Sequence, residues 1–271
     1  MSVVAVGKNS FLAQSVRQHS RADKWIWLSH REAADAAETF KNATCVVNFA
    51  FSPELKNGEY DPGHDIDRTV AKQLPAAAHY IMLSTRMVYG AAKRGRGLSE
   101  DDECLPANAY GRNKKIIEEN LKRSLPPEKL TILRPSNIFG YEPGRRTFFG
   151  TALKNLAENK TIAFDIDPQC VRDFLPAHIF ADYLYKIANR PAAGIFNLGC
   201  GFGVECGKIA SWLIEGYGEG KIVVTDTSRK GEFFLNMEKT LSAYQLNETG
   251  EDDIRRACLE CGRELRYFSA S

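Results

Sequence analysis

Tyr110 and Lys114 stand four residues apart in Tyr110-Gly111-Arg112-Asn113-Lys114. On a helix this spacing puts both side chains on one face, about one turn apart. An ammonium beside a phenol favours the phenolate and draws the tyrosine pKa down from ~10. A phenol tuned in this way is a usable general acid or base near neutral pH. The flanking residues predict the helix: Pro106 precedes it, Ile116, Ile117 and Leu121 form an apolar stripe, and Ser124-Leu125-Pro126-Pro127 ends it. The same pair is also common on solvated helix faces, so the rest of the chain must decide.

A second candidate site lies at the start of the chain. Residues 2–6 predict a short buried strand, and Gly7-Lys8-Asn9-Ser10-Phe11-Leu12-Ala13 leads into a helix from about Ser10 to His19. A strand, a tight loop and a helix N-terminus offer free N–H groups and a positive dipole end to an anion. Gly7, Asn9, Ser10, Phe11 and Leu12 are therefore candidates for holding a diphosphate. The usual fingerprint has three glycines; here Ser10 and Ala13 take two of the places, and Ser10 departs from the pattern. A plain strand–turn–helix is the competing reading. Trp25-Ile26-Trp27-Leu28 then reads as a second strand, followed by Ser29, His30 and Arg31. In a dinucleotide fold this strand end meets the adenosine ribose, where a carboxylate suits NAD and an arginine suits the 2′-phosphate of NADP. No acid occurs before Glu32, Arg31 can pair bidentately with a phosphate, and Lys8 adds charge. NADP(H) is thus favoured. NAD is expected instead if the strand runs one residue further and brings Glu32 to the ribose.

These residues need a scaffold. Residues 31–41 read as an alanine-rich helix and Cys45-Val46-Val47-Asn48-Phe49-Ala50 as a third strand, whose end adds Phe49 and Ala50 to the cofactor-binding candidates. Residues 51–63 read as a loop over the site, followed by a helix to about Leu74 and a fourth strand over residues 80–85. Strands alternating with helices predict an α/β fold, a Rossmann-type doubly wound parallel sheet. Residues 147–160 predict a helix of a small C-terminal lobe. Phe180, Tyr183, Leu184, Ile187 and Ala188 mark another helix packed on the core, with His178 one step off its stripe and read as structural. The expected division is residues 1–140 for NAD(P) and 141–271 mainly for substrate, with about 170–200 returning to the core. Residues 267–271 are expected to fray.

The 271 residues suit one domain, or one domain with a small lobe. Hydrophobic residues make up 44% and charged residues 26%, a soluble globular composition. A net charge of +2 gives no ground for a nucleic-acid or membrane partner. No apolar run is long enough to span a bilayer, and the apolar start is too short for a signal peptide. Seven cysteines, an odd number, fit reduced thiols in a cytoplasm. Cys258 and Cys261 have the spacing of half a zinc site, but Cys200 and Cys206 are too far apart for the other half, so no metal is expected. Cys104, in the loop before Tyr110, reads as a loop thiol.

Five segments then occur in one order. They are Leu83-Ser84-Thr85-Arg86-Met87-Val88-Tyr89-Gly90, Tyr110 with Lys114, Leu133-Arg134-Pro135-Ser136-Asn137-Ile138-Phe139-Gly140, Arg172-Asp173-Phe174, and Phe196-Asn197-Leu198-Gly199. Together they resemble the extended short-chain dehydrogenase/reductase family, the superfamily of sugar-nucleotide epimerases, dehydratases and reductases. The resemblance implies that Thr85 hydrogen-bonds the reacting oxygen, Tyr110 moves the proton, and Lys114 tunes Tyr110 and holds the nicotinamide ribose. Hydride transfer is then the cofactor's chemistry. It also implies Pro135 beside the cofactor, and Arg86, Asn137 and Arg172 beside a nucleotide-sugar substrate. Arg145 and Arg146 sit in a loop expected to cover that substrate, where they suit a diphosphate or else are solvated. A homodimer is implied as well, with Ile117 and Leu121 as candidate contacts or as core.

Family dehydratases carry an acidic pair directly after the Ser/Thr; here Arg86 and Met87 stand there, which disfavours dehydration. Reduction of a keto sugar by NADPH leads. The strand end at Arg31 supports it, as do the short stretch between the second and third strands, similar to dTDP-4-dehydrorhamnose reductases, and the short chain. An NAD-dependent epimerase is the alternative. A non-catalytic NADP-sensing protein comes last, because both Tyr110 and Lys114 are kept.

Overall fold

Mainly apolar runs form strands buried on both faces: Val3–Val6, Cys45–Asn48, His79–Leu83 and Leu130–Pro135. The computed structural model describes residues 2–91, 95–227 and 231–269. These strands join Ile26–Leu28 and Gly194–Leu198 in one six-stranded sheet, in which every pairing is parallel. From edge to edge the order is Gly194–Leu198, Leu130–Pro135, His79–Leu83, Cys45–Asn48, Val3–Val6, Ile26–Leu28. This is the Rossmann-type doubly wound sheet that the alternation predicts. The chain reverses direction across the sheet between Val3–Val6 and Cys45–Asn48, and a crevice opens at the carboxyl ends of these strands.

Side chains alternate along each strand between two cores. Val3, Ala5, Cys45, Val47, Ile81 and Leu83 face one core, closed by the first helix (Phe11–His19) and by Ala177–Asn189. Val4, Val6, Val46, Tyr80 and Met82 face the other, closed partly by Ala109–Ser124, the Tyr110 helix. A separate core lies in the C-terminal half, where Phe149, Leu153, Ile209, Leu213, Ile254 and Cys258 come from three helices: Phe148–Asn159, Cys206–Tyr217 and Glu251–Ser269. Among the described residues, no helix is long and apolar enough to cross a membrane.

Several boundaries differ from expectation. The 31–41 helix is two short ones, His30–Ala34 and Ala37–Phe40, because the first ends at Asp35. The 51–63 loop contains a helical turn, Glu54–Asn57. Ile117 and Leu121 are each only 1% exposed and belong to the core, so they are not available to a second subunit. The last helix runs on to Ser269, and near its end Phe268 stacks on Tyr141, with ring centroids 5.6 Å apart; residues 270–271 lie outside the described part.

Candidate active site

The Tyr110 helix starts at Asn108, whose side chain accepts the Gly111 N–H at 2.9 Å. Gly111 lets the helix seat against the Arg86–Val88 turn, since a Cβ there would stand 2.5 Å from the Met87 carbonyl oxygen. Lys114 is buried. Its Nζ donates to the Leu83 carbonyl at 2.7 Å and lies 4.5 Å from the Phe51 ring centroid. The Tyr110 ring meets the same Phe51 edge-on at 5.1 Å. Thr85 leaves the end of its strand with Oγ1 accepting the Met87 N–H at 3.2 Å, so its own hydrogen is free to donate elsewhere. Thr85, Tyr110 and Lys114 line one cavity of about 320 Å³, together with Ser10, Phe11, Leu12, Phe49, Pro135, Asn137 and Arg145.

The glycine loop borders this cavity. Gly7 has φ +94°, and a Cβ there would fall 2.7 Å from the Ala50 amide nitrogen, so the loop and the end of the third strand meet backbone to backbone. Ser10 is the N-cap of the first helix, accepting the Ala13 N–H at 3.3 Å. Its departure from the glycine pattern thus has a local purpose, and fully buried Ala13 permits close packing. Phe11 and Leu12 occupy the first turn, where amides have no intrahelical acceptor, and both line the cavity. No Asp or Glu lines it among the described residues. These features fit a dinucleotide whose diphosphate lies on the helix N-terminus.

The second strand ends at Leu28, as read from the sequence. Ser29 caps the helix after it in a reciprocal capping box with Glu32, whose carboxylate also bonds Lys8 Nζ at 2.8 Å. The Lys8 bond first, then those from Ser29, hold the Glu32 carboxyl down at about 2. His30, Arg31 and Asn9 are exposed and do not line the cavity.

The expected substrate residues divide into three groups. Asn137 and Arg145 line the main cavity with Thr85. The Arg145 guanidinium carbon lies 4.6 Å from the Phe11 ring centroid, and its Nε lies 3.2 Å from a Glu142 oxygen. Arg146 and Arg172 line a second cavity of about 660 Å³, which shares Thr147 and Phe148 with the first. Arg86 faces neither. It lies 3.6 Å from the Phe233 ring centroid, and burial, then the charge of Arg172, pull its guanidinium down to about 10. His178 is exposed, with its ring 6.3 Å from that of His19. Cys104 does not line the cavity, and Cys258 and Cys261 are packed in the C-terminal core.

Sequence reasoning passed over three things. Phe51 packs against both Tyr110 and Lys114; an aromatic directly after the third strand was the available signal. Asp173 is fully buried and accepts backbone N–H groups from Cys200 at 2.8 Å, Leu235 at 3.1 Å and Gly201 at 3.4 Å. Beneath Thr85, buried Glu118 and Arg134 form an ion pair at 2.7 Å that Ser84 joins through its hydroxyl. Burial alone would lower the Arg134 guanidinium, but Glu118 turns the net shift upward.

The sequence profile of the NAD dependent epimerase/dehydratase family matches residues 2–199. A search of curated proteins finds no match. Among solved structures, TunA, a NAD dependent NDP-hexosamine 5,6-dehydratase involved in tunicamycin biosynthesis, superposes with TM-score 0.79 at 17% identity, covering 97% of this chain and 98% of the other. RMD from Pseudomonas aeruginosa complexed with NADPH gives 0.78 at 16%, covering 97% and 99%. A UDP-N-acetylglucosamine 4-epimerase from Methanobrevibacter ruminantium M1, in complex with UDP-N-acetylmuramic acid, gives 0.78 at 13%, covering 100% and 99%. At these identities the structures speak for the fold, while the profile covers most of the chain and carries the assignment. The chain belongs to the NAD dependent epimerase/dehydratase family and is an NAD(P)-dependent enzyme.

Proposed function

We propose that the protein reduces a nucleotide-linked keto sugar, as a 4-ketoreductase, with NADPH as hydride donor. The cofactor supplies the hydride. Thr85 donates a hydrogen bond to the carbonyl oxygen, Tyr110 protonates it, and Lys114 holds the nicotinamide ribose and stabilises the phenolate left behind. The observation that carries this reading is the cavity wall. Among the described residues it offers Tyr110 and Lys114 for proton transfer but no carboxylate, histidine or thiol. Dehydration needs a second acid–base pair; reduction does not. Arg146 and Arg172 in the adjoining cavity suit the nucleotide's diphosphate, and the shared wall at Thr147 and Phe148 lets one extended ligand reach both cavities.

Epimerisation through a retained NAD also needs only one acid–base group, and Glu32, close to the expected ribose position, favours it as the second reading. Incubating a panel of nucleotide-linked 4-keto sugars with NADPH tests the proposal. Loss of NADPH absorbance with one of them is the expected result. Tightly bound NAD in the purified protein, with interconversion of epimers and no NADPH consumption, would favour the epimerase. Binding of NADP(H) with no turnover at all would indicate a sensor. We further propose a cytoplasmic enzyme, in keeping with seven free thiols, and a homodimer.

A further inference from the structure

We propose that Glu118 is a positioning residue for Thr85, Tyr110 and Lys114: gripped by Ser84 and Arg134, its carboxylate sets the rotation and height of the Tyr110 helix on the sheet. The proposal rests on the functional reading above.

Glu118 lies one turn beyond Lys114 and two beyond Tyr110, so the three share a helix face. Its side chain is 1% exposed and that of Arg134 is 3% exposed. The pair is a fork, with Arg134 Nε 3.1 Å from one carboxylate oxygen and Nη2 2.7 Å from the other. A two-point contact between planar groups fixes orientation as well as distance. Ser84 donates its hydroxyl to the same carboxylate. The residue before Ser84 is Leu83, whose carbonyl accepts Lys114 Nζ at 2.7 Å; the residue after it is Thr85. Two successive turns of one helix thus grip two successive residues of one strand end. A slide or roll of the helix would break both grips and separate Tyr110 from Thr85. The anchor is itself anchored. The Arg134 guanidinium carbon lies 4.7 Å from the Tyr89 ring centroid, and the Tyr89 hydroxyl donates to Asn197 Oδ1 at 2.7 Å on the neighbouring strand. A buried ion pair is often no more stabilising than an apolar pair of the same size, and its best-attested use is to select one register.

The test uses the full-length protein and the variants Glu118→Gln, Ser84→Ala, Lys114→Ala and Lys114→Ala/Glu118→Gln. The readouts are the NADPH dissociation constant, kcat and KM on the keto sugar, and the urea midpoint. Because small misplacements cost up to ~100-fold, Glu118→Gln should lower kcat and NADPH affinity about tenfold each in folded protein, with KM for the sugar within about threefold. If Glu118 acts on the cofactor through Lys114, Glu118→Gln should weaken NADPH binding by less than about twofold more in the Lys114→Ala background. Independent, multiplying losses would overturn the proposal, as would folded Glu118→Gln with normal kcat. Should Glu118→Gln fail to fold, Ser84→Ala decides, because it leaves the ion pair in place. A kcat reduced at least about threefold at unchanged KM supports positioning, and an unchanged kcat overturns it. If the wild type binds NADPH but reduces no sugar, the functional reading fails, and the NADPH-binding cycle alone judges Glu118.

Discussion

Replacing Arg31 with alanine tests which cofactor the enzyme uses. The strand before it ends at Leu28, so the residues nearest the expected ribose are Ser29 to Glu32. Ser29 is committed to capping, and Glu32 is tied to Ser29 and to Lys8. Of exposed His30 and Arg31, Arg31 carries the permanent charge and the planar fork that suit a 2′-phosphate. A hydrogen bond to a charged group contributes ~1.5–3 kcal/mol, and solvent exposure argues for the lower end. At ~1.5 kcal/mol, NADPH should bind roughly tenfold more tightly than NADH. Fluorescence titration of both cofactors on wild type and Arg31→Ala should show that preference nearly abolished, with NADH affinity unchanged. Glu32→Gln should act in the opposite direction, since it removes a like charge and frees Lys8 for the phosphate. The preference should also shrink as salt is raised, because exposed charges are screened beyond about 10 Å at 0.1 M. Tighter NADH binding by the wild type would refute this reasoning and point to Glu32 on the ribose. An Arg31→Ala variant that loses both cofactors equally would show that Arg31 does not meet the 2′-phosphate.

Tyr110→Phe should lower kcat by ~10²–10⁴-fold while NADPH titration stays near wild type; near-normal turnover would remove Tyr110 from the chemistry. Burial, then Lys129, holds buried His79 down at about 4 against an ordinary 6.5, so the unfolded chain takes up the proton first as pH falls. Urea midpoints should therefore drop as pH falls from about 6.5 and level off near 4, a loss on the order of 3 kcal/mol, and this slope should be absent in His79→Gln. Asp173→Ala strands three backbone N–H groups at about 1–3 kcal/mol each, so urea denaturation should show a loss of ~3–9 kcal/mol or an unfolded protein. Sedimentation at micromolar concentration should show a dimer, with contacts made by exposed residues such as Ile116 on the Tyr110 helix.

The sheet was legible because strands buried on both faces carry short, mainly apolar runs, as Val3–Val6 and Cys45–Val47 do. Tyr110 and Lys114 stood out because their spacing is local, and Thr85 only through the family resemblance; what the structure adds is that all three line one cavity. The surroundings of Arg86 were not legible because they are remote in sequence: Phe233 supplies the ring on which it stacks, and no local pattern announces that. Ser10 counted against the glycine pattern until its capping bond became visible. Glu118 escaped notice although a carboxylate one turn beyond Lys114, beside the apolar stripe of Ile117 and Leu121, was a readable sign of a buried partner. The split of Arg145 from Arg146 depends on which way a loop turns, and adjacent identical residues give no hint of it.

The position of Ala177–Asn189 has a consequence for synthesis. The first helix is finished within the opening residues, yet the helix packed against it emerges more than half a chain later. At ~5–20 residues per second, that interval is on the order of ten seconds or more. A nascent chain that already contains Gly7, Thr85, Tyr110 and Lys114 still has one face of its sheet covered by the first helix alone, with the side of Val16 that Ala177–Asn189 will cover still exposed. Shortened forms ending before Ala177 should therefore be sticky, chaperone-dependent products rather than working fragments.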